Sequence, residues 1–334
     1  MKITRRKFIK TAGMITASAG IIGVGGFMSG CGETAAKADF NERVPNSDNG
    51  KAKVYFTKKI DAEHLIQLYQ KINSDITGKV AIKLHSGEPH GPNILPRDMV
   101  QKFQSQIPNS TIIEANTAYG GARSNTASHR QTLETNGWNF CPVDIIDDDG
   151  DVNFPVKGGF HLEEVAMGSH LTNYDSMIVL THFKGHTMGG FGGSLKNIAI
   201  GCASGKEGKL QVHGVRKFGS WVTGERLMEL MTDSGKAICD HFGKKIVFLN
   251  VMRRMSVDCD CAGTSAAEPT MADIGICAST DILAIDKACV DMVYSAPDGK
   301  DLIERIESRA GLRQLSAMEK IGLGNPNYEL VEIN

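Results

Sequence analysis

Short runs rich in Val and Ile alternate along this chain with amphipathic segments, and this alternation limits the folds open to it more than any other feature. The runs are Lys53 to Phe56, Lys79 to Leu84, Thr111 to Ala115, Val143 to Ile146, Met177 to Thr181 and Ile246 to Val251. Their length and β-branched content read as strands. Between them, Leu65, Ile66, Leu68, Tyr69 and Ile72 mark one helical face, Met99, Val100, Phe103 and Ile107 a second, and Leu227, Met228, Leu230 and Met231 a third. Strand and helix in alternation predict an α/β fold, with a mostly parallel sheet or sheets flanked by helices, in one domain or two interleaved lobes. Asp151 to Val165 is short, alternating and broken by Gly158-Gly159, so a small antiparallel excursion is expected near 151–165. Ile282 to Tyr294 and Asp301 to Ala310 carry a helical period, and Tyr328 to Ile333 suits an edge strand.

Ligands of open α/β sheets bind beyond the carboxyl ends of the strands. Those ends are polar here. Val80 to Leu84 runs into His85, Glu88 and His90, and Ile112 to Ala115 runs into Asn116, Tyr119 and Arg123. Ile178 to Thr181 runs into His182, Lys184 and His186, and Val247 to Asn250 into Arg253, Arg254, Asp258, Cys259, Asp260 and Cys261. If the strands are parallel, four ends converge on one edge. A single His after a strand is an ordinary turn residue, whereas His85, His182, His186 and the later His213 together suit acid–base work or metal ligation.

The stretch from His182 to His213 is the densest. It holds Lys184, His186, Gly189-Gly190, Gly192-Gly193, Lys196 and Cys202. Glycines let backbone N–H groups approach a ligand and the lysines add positive charge, which favours an anion. The alternative is a flexible surface loop. The spacing matches neither a phosphate-binding Gly-x4-Gly-Lys loop nor a Gly-x-Ser-x-Gly nucleophile turn. Cys259 and Cys261 are either a thiolate pair for a soft metal, with Cys202 or histidines completing the set, or a structural thiol pair or strained disulfide.

The amino-terminal segment has its own signature. Thr4 to Lys10, reading Thr-Arg-Arg-Lys-Phe-Ile-Lys, precedes twenty uncharged residues, Thr11 to Gly30, six of them glycine. It resembles a twin-arginine export signal spanning residues 1–30, a route that carries folded proteins and so implies the twin-arginine translocase as a partner and an extracytoplasmic or periplasmic location. Met28-Ser29-Gly30-Cys31 resembles a lipobox, so the chain is expected to be anchored by lipid at Cys31, with simple cleavage nearby or no cleavage at all as the alternatives. Contact with a membrane is expected through that anchor alone. Residues 31–52 read as a flexible linker, and 53–334 as the folded domain. Whole, the chain carries 37 basic and 38 acidic residues; without residues 1–30 it keeps 32 basic against 38 acidic. Its basic pairs are isolated, which excludes a nucleic-acid footprint. Besides Cys31, seven cysteines have no disulfide-scaffold spacing.

From about Val54 onward the chain resembles the DUF362 family. The likeness rests on Val80-Ala-Ile-Lys-Leu-His85, Asn116-Thr-Ala-Tyr-Gly-Gly-Ala-Arg123, His182-Phe-Lys-Gly-His186, Gly190-Phe-Gly-Gly-Ser-Leu-Lys196-Asn197, Gly201-Cys202-Ala-Ser, Asp258-Cys-Asp-Cys261 and Asp273-Ile-Gly-Ile. Members frequently carry a ferredoxin-like insertion shortly after the equivalent of His213. This chain has no cysteine between His213 and Thr223, so a ferredoxin-type iron–sulfur cluster is not expected. A shorter likeness, to the nickel-pincer lactate racemases, runs through His186, Gly190-Phe-Gly192-Gly193, Lys196 and His213. It implies that Lys196 anchors a nickel-bearing pyridinium nucleotide, that His213 ligates metal and that His186 moves a proton, with His85 or His182 as its partner.

Three readings follow. One is an exported metal- or cofactor-dependent enzyme performing proton or hydride chemistry on a small anionic substrate, with Lys196, Gly190, Gly192, Gly193, Arg123 and Lys184 holding the ligand. Another is a non-catalytic surface protein that binds metal or an anion. A redox partner using Cys259 and Cys261 is a third.

Overall fold

Eight strands assemble into one sheet in the computed structural model, which describes residues 50–334. The expected signal, the Cys31 site and the linker up to residue 49 lie outside the described residues. The elements are β1 (Ala52–Thr57), α1 (Ala62–Gln70), β2 (Val80–Lys83), α2 (Arg97–Ser105), β3 (Ser110–Glu114), α3 (Thr126–Thr135), β4 (Val143–Ile145), β5 (Asp151–Pro155) and β6 (Glu164–Gly168). They continue with β7 (Ser176–His182), β8 (Lys184–His186), β9 (Gly190–Gly192), α4 (Ser194–Gly201), α5 (Gly208–Val212), α6 (Val215–Phe218) and α7 (Glu225–Phe242). The last are β10 (Ile246–Met252), β11 (Gly275–Ser279), α8 (Ile282–Ser295), α9 (Lys300–Ser308), α10 (Arg313–Lys320) and β12 (Tyr328–Glu332).

The strand order is β12-β1-β11-β10-β7-β2-β3-β4. Neighbours pair in parallel except at β11, which is antiparallel to both β1 and β10. The expected α/β class is therefore observed, built on a single sheet. Both faces are covered: Met177 and Val179 of β7 point into one core, Ile178 and Leu180 into the other. Every residue of β7 and β10 is buried, which is why their sequences read as continuous apolar runs. Helices α1 and α2 close one face through Leu65, Leu68, Met99 and Phe103. On the opposite face, α4, α7 and α8 contribute Leu195, Ile198, Leu230, Ile238, Ile285 and Val293.

The antiparallel excursion is the β5–β6 pair, in register from Asp151↔Gly168 to Pro155↔Glu164. The glycine-rich stretch is not a flexible loop. It forms the β8–β9 hairpin, with Lys184 opposite Gly192 and His186 opposite Gly190, and then helix α4. No helix among the described residues is long and apolar enough to cross a membrane.

The amino terminus of α4 is closed from within. Ser194 and Leu195 donate their backbone N–H groups to Asp286 of α8, at 2.7 and 2.9 Å, and the Asn250 amide adds a third bond at 2.8 Å. A Cβ at Gly193 would stand 2.4 Å from an Asp286 carboxylate oxygen, so glycine is the residue that lets the cap approach. Removing a buried acceptor strands its donors, at about 1–3 kcal/mol per group. Asp286→Ala is expected to lower unfolding free energy by about 3 kcal/mol, read as a lower urea midpoint at unchanged slope.

Candidate functional site

Strands β10, β7, β2 and β3 are consecutive in the sheet and parallel, so their carboxyl ends share one edge. A cavity of about 320 Å³ opens there. Strand ends supply Lys83, His85, Glu114, Thr181, Lys184 and His186; Tyr119, Arg123 and Cys261 come from the loops after β3 and β10. Lys196 and Asn197 of α4, Lys209 of α5 and the adjoining His213 complete the polar wall. Ile200, Trp221, Leu227 and Met231 form an apolar one.

Two buried charges inside strands organise the polar wall, and neither stands out in the sequence. Lys83 is 1% and Glu114 2% exposed, and their ammonium and carboxylate groups meet at 2.6 Å. The other Glu114 oxygen accepts the Ser86 backbone N–H at 2.6 Å and faces His85 Nδ1 at 3.8 Å and Arg123 Nη1 at 3.9 Å. Burial raises the Glu114 carboxyl, but Lys83, His85 and Arg123 together hold it well below the usual carboxylate range. Arg123 in turn pairs with Glu88 at 2.9 Å and donates to the Tyr119 hydroxyl at 3.0 Å.

The histidines divide by their hydrogen bonds. His182 does not line the cavity: it is 1% exposed, with Nδ1 2.8 Å from Asp260 and Nε2 2.8 Å from the Arg253 carbonyl, so both ring nitrogens act as donors to fixed acceptors. Asp260 also pairs with Lys184 at 3.1 Å; burial raises its carboxyl, and His182 and Lys184 overcome that to keep it ionised. His186 lines the cavity, and its Nδ1 accepts the backbone N–H groups of Gly189 at 2.8 Å and Met188 at 3.2 Å. The neutral ring therefore carries its proton on Nε2. His213 has the opposite arrangement. Its Nδ1 donates to the Lys209 carbonyl at 2.7 Å, which leaves the Nε2 lone pair free. Burial, joined by Lys196, keeps both rings neutral, pushing His186 well below its ordinary value and His213 down to about 4.

Cys259 and Cys261 are free thiols. One donor atom from each, with one from His186, lie within 4.8 Å of one another, close to the span that bonds of about 2.0–2.3 Å to a single ion allow. Two sulfurs and an imidazole suit a soft or borderline metal. The thiols fit such an ion better than His186 does, because the Nδ1 of His186 is occupied and its Nε2 must first lose a proton. Lys196 Nζ lies 3.8 Å and His85 Nε2 3.5 Å from the Cys259 sulfur. The bond from Cys261 lowers the Cys259 thiol; burial opposes this, and Lys196, Lys184 and His85 reinforce it, whereas the bond from Cys259 and burial raise Cys261.

The remaining residues singled out from sequence separate. Gly192 and Gly193 line the cavity, whereas Gly190 packs against Gly311 and Cys202 lies in the core, fully buried, its thiol pushed up to about 12 by burial. The two N–H groups that open α4 go to Asp286, so they are not available to a ligand. Lys209 went unnoticed in the sequence. It is 4% exposed, donates to the Ala203 carbonyl at 2.6 Å and is lowered to about 8 by burial.

A family model described as a domain of unknown function, DUF362, matches residues 80–291. No curated protein matches the chain. Among solved structures it is similar to the lactate racemase apoprotein from Thermoanaerobacterium thermosaccharolyticum, at 13% identity and a TM-score of 0.42 over 76% of this chain and 58% of that one. It is also similar to a structural-genomics protein from Thermotoga maritima, at 12% identity and a TM-score of 0.37 over 58% of this chain and 51% of that one. The chain thus spans between half and two thirds of the length of these two structures.

Glu114→Gln leaves Lys83 buried without a counter-charge, and breaking such a pair costs about 3–5 kcal/mol; urea unfolding is expected to show a loss of that order. His213 gives a pH dependence of definite sign. Its folded value near 4 lies below the ordinary 6.5, so between these pH values the unfolded chain binds more protons and stability rises with pH. Acidification from pH 6.5 through 4 is expected to lose on the order of 3 kcal/mol through His213, and His213→Asn to reduce the slope of unfolding free energy against pH in that window by this one group's share, with the slope due to His186 remaining.

Proposed function

The chain belongs to the DUF362 family, and we propose that it is an enzyme which binds a small anionic substrate in the strand-end cavity and moves a proton next to the anionic group. One observation carries the proposal: two half-buried, neutral histidines both offer Nε2, protonated in His186 and unprotonated in His213, to a cavity whose walls hold Lys196, Lys209 and Arg123. His186, protonated at Nε2, is the proton donor. His213, with Nε2 free, is the acceptor. Lys196 and Lys209 bind the anion, and Asn197, held by the Leu180 carbonyl at 3.2 Å and the Thr181 hydroxyl at 3.0 Å, fixes the helix that carries Lys196. His85 stands between Glu114 and Cys259, where it orients the thiol pair.

Cys259 and Cys261 would hold a soft metal ion, which supplies polarisation of a substrate oxygen when bound. A second reading of His213 is favoured by its own geometry. A metal-ligating histidine usually donates its other N–H to a carbonyl or carboxylate, as His213 does to Lys209. In that finer form, supported by the order of His186, Lys196 and His213 along the chain, Lys196 tethers a nickel-bearing nucleotide and His213 ligates the metal. The proposal extends to place on sequence alone: Thr4 to Cys31 direct export by the twin-arginine translocase and lipid anchoring or cleavage outside the cytoplasm.

The test is deuterium uptake from D2O into a panel of small carboxylates, followed by NMR with protein purified after export. Uptake at the carbon next to the carboxylate is expected, and His186→Asn or His213→Asn should slow it by about 100-fold or more without lowering the melting temperature at pH 7. Lys196→Ala should weaken anion binding. Elemental analysis and intact mass on the same protein separate the two roles of His213: metal lost in Cys259→Ser and Cys261→Ser but kept in His213→Asn supports the proton acceptor, whereas added mass on Lys196 with metal lost in His213→Asn supports the ligand. Wild-type protein that neither exchanges nor binds any anion would sink the proposal.

A further inference from the structure

Three large hydrophobic side chains are notably exposed among the described residues, Tyr119 at 41%, Trp221 at 44% and Leu330 at 44%. The first two both line the cavity, so they stand where it meets solvent. Each is held in place. The Tyr119 hydroxyl bonds Glu88 at 2.9 Å, and the Trp221 indole lies 4.3 Å from the His213 ring, centroid to centroid. Val222 next to it donates its backbone N–H to the His213 carbonyl at 3.0 Å, which ties the segment to the catalytic wall. Behind Trp221 the apolar surface continues inward through Leu227 and Met231, each 1% exposed.

The cavity is therefore two-sided. Cations on one side demand an anionic head. A small polar acid would leave the other side, an aromatic mouth running into an aliphatic wall, facing water. A side chain of this size left exposed at the rim of a cavity is a ligand surface, since stacking on a flat π-face and burial of the apolar wall both require an occupant. Resting on the anion-binding reading above, we propose that the ligand is an anion bearing an aromatic or other planar ring, its head at Lys196 and Lys209 and its ring against Trp221. A ring-bearing carboxylate and a ring-bearing phosphate share this chemistry.

The experiment compares two pairs of probes on the mature protein by calorimetry and tryptophan fluorescence: acetate with phenylacetate, and inorganic phosphate with phenyl phosphate. Of the two tryptophans, Trp138 is 1% exposed in the core, so quenching by a cavity ligand reports Trp221. The ring-bearing member of one pair is expected to bind about threefold to tenfold more tightly than its parent and to quench emission, and the pair that shows this identifies the head group. Trp221→Ala should abolish the preference while leaving the parent anion's affinity and the melting temperature unchanged, and Trp221→Phe should restore it. Parent anions bound with no ring preference, or a preference that survives Trp221→Ala, would overturn this inference and leave the anion reading intact. Binding of no probe at all would overturn both.

Discussion

One carboxylate sets the positions of most of the groups in the cavity. Glu114 closes β3 and takes Lys83 from β2 at 2.6 Å, the Ser86 N–H at 2.6 Å, and the flanking charges of His85 and Arg123. A buried ion pair of this kind contributes little net stability, because desolvation offsets attraction. Its effect is to fix geometry: the partners come from β2, the loop after β2 and the loop after β3, and moving Lys83 or Glu114 away would leave an uncompensated buried charge. The constraint reaches α4, because Gly201 leaves room for Lys83, where a Cβ would stand 2.3 Å from Lys83 Cε. Lys196 and Asn197, one turn earlier, are positioned by the same contact.

Charge around the cavity is then unevenly settled. Lys83 has Glu114, Lys184 has Asp260 and Arg123 has Glu88. Lys196 and Lys209 have no carboxylate at ion-pair distance among the described residues. Lys209 shows the consequence most plainly, since burial brings its ammonium down to about 8 while its neighbour Asp147 only partly offsets this. An anion entering the cavity would restore the missing counter-charge, which is the physical basis of the anion-binding proposal.

The fold was legible because both faces of a mostly parallel sheet are buried, so β7 and β10 appear in sequence as unbroken apolar runs. The four polar strand ends were legible because apolar side chains give way there to charged and imidazole side chains that pair with one another while staying buried. Lys83 and Glu114 were not, since a lone charge one residue before the end of an apolar run looks like a boundary residue; their signal is a Lys and a Glu at the same penultimate place in two successive runs. His182 was grouped with the cavity histidines because its partner Asp260 lies 78 residues away, hidden between two cysteines that drew attention to themselves. The glycines read as a ligand cradle for backbone N–H groups, but Asp286 takes the first two N–H groups of α4, and no local pattern connects a buried Asp in α8 to that helix start.

The tautomers of the two cavity histidines rest on main-chain atoms. Two N–H groups at the turn of the β8–β9 hairpin aim at Nδ1 of His186, and a carbonyl in α5 aims at Nδ1 of His213. Backbone dipoles of this kind do not titrate, and they hold the tautomers however the side chains around them change. Nearby cations and burial keep both rings neutral, so neither His186 nor His213 competes with Lys196 or Lys209 as a resident positive charge. In the proposed reaction, affinity for the anion and the direction of proton transfer would thereby be carried by separate sets of atoms: the lysines would hold the ligand, and the hairpin turn and the α5 carbonyl decide which ring nitrogen carries the proton.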